Sequence, residues 1–124
     1  MSGEGATSAR VTVLALVRDL FFRSKMDAVA AAVGAEIAYA STLDAAAKRC
    51  AELKPVLVFA DLSDASFPAL DTASRIRDAA PGARLVGFAS HVDLKPLAAA
   101  RAAGFELTLS RSEFTARLPD LLKP

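Results

Sequence analysis

At 124 residues the chain has the length of one domain and cannot hold two independent cores. It is 53% hydrophobic and 23% charged, with a mean hydropathy of +0.34, too apolar for a disordered chain and too often interrupted by charge for a membrane protein. Fifteen basic residues against fourteen acidic ones leave a net charge of +1, so no overall field gathers phosphate backbones or anionic lipid heads; neither nucleic acid nor a membrane is an expected partner.

In chain order, Met1 to Arg10 is small and polar, with no basic segment leading into an apolar one, and reads as a flexible tail ahead of a single domain over residues 11–124. No apolar stretch reaches the roughly 18 residues a bilayer span needs. Four apolar runs of strand size follow at intervals, Val11 to Val17, Ile37 to Ala40, Val56 to Ala60 and Leu85 to Ala89, with a weaker fifth at Phe105 to Leu109. The third is continuous rather than alternating, the signature of a strand buried on both faces of a parallel sheet.

Between the runs lie helical stretches. Phe22, Met26, Val29 and Val33 form one apolar stripe, ended by Gly34. Leu43 to Leu53 is preceded by Ser41 and Thr42, with Asp44 at capping-box distance from Ser41, and is stopped by Pro55. A third helix begins near Ser66 with Pro68 in its first turn and runs to Ala79, before Pro81-Gly82. A fourth, Leu94 to Ala103, is rich in alanine. A fifth follows the capping-box spacing of Ser110 and Glu113 and is expected to be disturbed by Pro119. Strands alternating with helices predict right-handed crossovers: a doubly wound α/β fold, five parallel strands in a three-layer sandwich.

In open α/β sheets, ligands gather at the carboxyl ends of the strands, where strand order reverses. Asp61 ends the most buried strand, Arg18 and Asp19 follow the first, Ser90 and His91 the fourth, and Ser110 and Arg111 the fifth. With Ile76-Arg77 in the next helix and the run Gly104-Phe105-Glu106-Leu107-Thr108-Leu109-Ser110-Arg111, the chain resembles the CheY-like receiver domain of two-component response regulators, a flavodoxin-like (βα)5 fold, over about residues 10–122.

The resemblance implies that Asp61 stands where receivers accept a phosphoryl group and that Arg111 stands where they carry a lysine. It also implies Mg²⁺ held by two adjacent carboxylates after the first strand, since a hard octahedral cation needs oxygen ligands. Those positions align with Val17 and Arg18, or with Arg18 and Asp19, so a cation replaces a ligand in either register. The fourth-strand hydroxyl aligns with Ala89, with Ser90 next to it, and the switch aromatic of the fifth strand aligns with Thr108. Two alternatives follow for Asp61: a phosphoacceptor, or a structural acid that caps the next turn or pairs with arginine. If Arg18 and Arg111 both approach Asp61, they do the neutralising work of a metal, and removing Asp61 destabilises the fold.

The sole histidine, His91, has no metal-ligand partner and reads as a loop residue; the sole cysteine, Cys50, reads as core and fits a reducing cytoplasm. Phe21, off the stripe of the first helix, and the smooth face of Leu94, Ala98 and Ala102 beside Thr108 are candidate contact surfaces, the second for a homodimer. The expected function is a stand-alone, degenerate pseudo-receiver. It is a cytoplasmic interaction module of bacterial signalling with other signalling proteins as partners, not an enzyme, and without metal or cofactor. The alternatives are a single-domain response regulator phosphorylated at Asp61 with an atypical Mg²⁺ site, and a small nucleotide-binding protein or enzyme on a flavodoxin-like frame. The last is disfavoured because no Gly-rich loop follows the first strand.

Overall fold

The computed structural model describes residues 12–90 and 94–123, with Leu94 as backbone only. The tail expected over Met1 to Arg10, the strand start at Val11 and the loop position of His91 lie outside the described residues. Strands β1 (Thr12–Leu16), β2 (Glu36–Ala40), β3 (Leu57–Asp61), β4 (Arg84–Ala89) and β5 (Leu107–Ser110) alternate with helices α1 (Leu20–Val33), α2 (Leu43–Leu53), α3 (Ala69–Ala79), α4 (Leu94–Ala103) and α5 (Arg111–Leu122). The strands form one parallel sheet in the order β2-β1-β3-β4-β5, so strand order reverses between β1 and β3. This is the doubly wound α/β fold read from the sequence.

Alternation along each strand sorts side chains into two cores. Val13, Ala15, Leu57, Phe59, Val86 and Phe88 pack with Phe22, Met26 and Ala30 of α1 and with Phe114, Leu118 and Leu122 of α5. Leu14, Leu16, Val58, Ala60 and Leu85 pack against α2, α3 and α4 on the opposite face, where Cys50 is fully buried. Burial pushes the Cys50 thiol up, away from the reactive thiolate. All five residues of β3 are buried, as its unbroken apolar run implies. Gly87 lets β4 lie close under its cover, because a Cβ there would meet Leu62 Cδ1 at 2.5 Å and the Phe105 ring at 3.0 Å.

Several boundaries differ from the sequence reading. Val56 is outside β3 and 54% exposed, and Phe105 precedes β5 and is buried in the turn after α4. The α2 cap is Thr42, whose Oγ1 accepts from the Ala45 amide at 3.0 Å. Ser41 takes a hydrogen bond from Arg23, and Asp44 pairs with Arg75, so no capping box forms there. Helix α3 starts at Ala69, with Pro68 as the residue before it. The α5 capping box does form, with the Glu113 amide donating to Ser110 Oγ and the Ser110 amide to Glu113 Oε1. Helix α5 continues through Pro119 to Leu122, since burial of Leu118 and Leu122 against the sheet outweighs one lost backbone hydrogen bond. The α1 stripe buries Ala30 fully and Val29 and Val33 partly, and Gly34 ends it at φ 75°, a left-handed conformation glycine adopts without strain.

Candidate functional site

The carboxyl edge of the sheet brings Asp61, Asp19 and Arg111 together. Asp61 closes β3 beside Phe88 and is 6% exposed. Its Oδ1 accepts from the Ser63 amide at 3.1 Å and its Oδ2 from Arg111 Nη2 at 3.2 Å, so it caps the next turn and pairs with arginine at once. Asp19 is the N-cap of α1: its Oδ1 accepts from the Phe22 amide, and its Oδ2 lies 3.6 Å from Arg111 Nη1. The Arg111 guanidinium therefore stands between two carboxylates, and it lies over the Phe22 ring at 4.4 Å, above the packed rings of Phe22, Phe88 and Phe114.

Of the two arginines the sequence reading considered for Asp61, Arg18 does not reach it. Its Nη1 lies 3.4 Å from Asp64 Oδ1 and 3.2 Å from Ser66 Oγ. Asp64 went unnoticed in the sequence, although Asp64-Ala65-Ser66 carries Asx-turn chemistry: the Ser66 amide donates to Asp64 Oδ1 at 2.8 Å, presenting a fixed acid to Arg18. Phe22, read only as core, is also the floor under Arg111. Ser90 turns to Ser63, its amide donating to Ser63 Oγ at 2.7 Å with the two hydroxyls 3.1 Å apart. Ala89 is fully buried opposite Ser110, and Thr108 Oγ1 accepts from Arg101 at 3.2 Å. Phe21 is 88% exposed beside Leu20 at 72%, and Ala98 and Ala102 are exposed on α4.

The electrostatics divide the acids. Burial holds the Asp61 carboxyl above the usual carboxylate range, against the Ser63 amide and Arg111, with Asp64 adding to the rise. The Phe22 amide, then that of Phe21, and Arg111 hold Asp19 below it, against slight desolvation. Asp64 is also lowered, since the Ser66 amide and hydroxyl and Arg18 outweigh its desolvation.

This donor set does not fit hexacoordinate Mg²⁺. Val17 faces the α1–α5 core, Arg18 is turned to Asp64, and the two carboxylates that meet are bridged by a guanidinium. No cluster of three or more His, Cys, Asp or Glu able to hold a metal exists among the described residues.

No family model and no curated protein matches the sequence. Solved structures do match. A response regulator protein from Burkholderia pseudomallei with a phosphorylated aspartic acid, calcium ion and citrate superposes with TM-score 0.77 at 17% identity, over 91% of this chain and 66% of that one. A response regulator from Thermotoga maritima gives 0.75 at 18% identity, over 90% and 93%. The beryllofluoride-activated NtrC4 receiver domain dimer gives 0.74 at 17% identity, over 90% and 95%. Topology, the rim of acids at the strand-order switch and these superpositions agree: the chain has the CheY-like receiver fold.

Proposed function

We propose that this chain is a cytoplasmic pseudo-receiver, a module of signal transduction that acts through protein contacts rather than by phosphoryl transfer at Asp61. The observation that supports it is the Arg111 guanidinium between Asp61 and Asp19. A fixed cation there does the charge neutralisation that a receiver needs from Mg²⁺, while holding the would-be nucleophile in an ion pair. The relay that would carry a phosphoryl signal outward is altered too, with Ala89 lacking a hydroxyl and Thr108 held by Arg101. The module has no catalytic activity in this reading. Its partners are other signalling proteins, met through the exposed Leu20 and Phe21 at the head of α1, or a second copy met through Ala98, Ala102 and Thr108; the NtrC4 receiver is a dimer.

The test is intact mass after incubation with a small acyl phosphate and Mg²⁺, with Asp61→Asn as control. No adduct is expected. An Asp61-dependent gain of one phosphoryl group means a working response regulator and overturns the proposal.

A further inference from the structure

Beside the acid–arginine cluster lies a cavity of about 550 Å³ that the reading above does not use. It is walled by Phe22 and Lys25 of α1, by Ser90 after β4, and by Ser110, Arg111 and Ser112 where β5 passes into α5. Small-molecule sites span about 300–1,000 Å³ and combine an apolar wall with a few convergent polar groups. Here the lining joins two cations and four hydroxyls to Phe22, which is 6% exposed beneath Arg111.

Two cations line the cavity and no carboxylate does. Lys25 has no partner among the described residues. Asp27 on the same helix is engaged by the Tyr39 hydroxyl at 2.7 Å, and Glu113 by the Ser110 amide at 3.0 Å, so neither nearby acid is committed to Lys25. The hydroxyls add donors. Ser110 and Ser112 lie 3.3 Å apart and share one hydrogen bond, so one of their two hydroxyl protons stays uncommitted whichever way that bond runs. Thr115 is already donating to the Arg111 carbonyl. Arg111 Nε is a buried donor with no acceptor.

The arrangement discriminates between anions. Both terminal nitrogens of Arg111 face Asp61 and Asp19, so no free guanidinium fork is offered to a planar carboxylate. What remains, an ammonium and separate hydroxyl donors, suits the dispersed oxygens of a phosphoryl group. We propose that this cavity binds a small phosphomonoester without covalent reaction, its phosphate on Lys25 and the Ser110–Ser112 pair and its organic part in the volume those groups leave open. The site uses Asp61 neither as acceptor nor as ligand, but it shares with the pseudo-receiver reading the Arg111 guanidinium held by Asp61 and Asp19.

The test is an amide NMR titration of the full chain with phenyl phosphate, and in parallel with inorganic phosphate and benzoate. The expected result is saturable shifts at Lys25, Ser90 and Ser110 to Thr115 with phenyl phosphate, smaller ones with inorganic phosphate, and none with benzoate. Lys25→Glu, at an exposed position, weakens the binding by about tenfold or more, and the protein mass does not change. Absence of saturable shifts, equal binding by Lys25→Glu, or equal binding of benzoate overturns the proposal. A mass gain of one phosphoryl group in the wild type that Asp61→Asn does not show overturns the noncovalent site and points to chemistry at Asp61 instead.

Discussion

Asp61 illustrates how burial and charge compete within one side chain. Its carboxyl is raised above the ordinary 3.8 because the desolvation of a nearly buried charge exceeds what one arginine and one amide return. The stability it contributes is therefore fully present below pH 3.8 and is lost as pH rises through its higher folded value. At neutral pH the ionised group costs stability, so Asp61→Asn is expected to melt above the wild type at pH 7, with the gap narrowing as pH falls toward 4. The opposite expectation, that removing Asp61 strands buried positive charge, assumed both Arg18 and Arg111 at Asp61, and only Arg111 is there. Arg111 keeps Asp19 and the Phe22 ring, and its side chain is one-third exposed. Thermal melts of the two proteins at both pH values decide it, and an Asn variant several kcal/mol less stable at pH 7 contradicts this account. Phe21 makes the opposite case. At 88% exposure it contributes no core, so Phe21→Ser is expected to change stability by no more than about 0.5 kcal/mol in denaturant titrations.

At the level of elements, the sequence was most legible where periodicity and caps coincide. The β3 run, the α1 stripe with Gly34, and the Ser110–Glu113 box each carry a local pattern that the tertiary structure reinforces. Boundaries failed where a neighbouring residue offered the same chemistry, as when Thr42 rather than Ser41 capped α2, or where distant burial decided, as at Pro119. The partner of Arg18 was out of reach for a related reason: Arg18 and Asp64 are 46 positions apart, and only the packing of two loops joins them. Gly87 is another feature that only packing reveals. Gly87→Ala is expected to destabilise by about 1–3 kcal/mol, because its Cβ would press on Leu62 and Phe105 within a filled layer. Chemical denaturation measures this, and a neutral result would mean that the layer yields.

For the whole molecule, the order β2-β1-β3-β4-β5 places the ends of β1, β3 and β5 around one point, and it is this topology that brings Asp19, Asp61 and Arg111 together. The sequence reading had the fold, and of the two arginines it considered for Asp61 the structure brings only one there. Arg111 alone bridges the acids while Arg18 serves a neighbouring turn. In the proposed reading, fold and chemistry separate, the frame surrounding a site in which Arg111 stands between Asp19 and Asp61. A Mg²⁺ titration followed by amide NMR, on the wild type and on Arg111→Ala, tests this balance most directly. The account predicts no saturable shifts at Asp19, Asp61 or Ser63 of the wild type in the millimolar range. Saturable Mg²⁺ binding centred on those residues, with Arg111 in place, would contradict it.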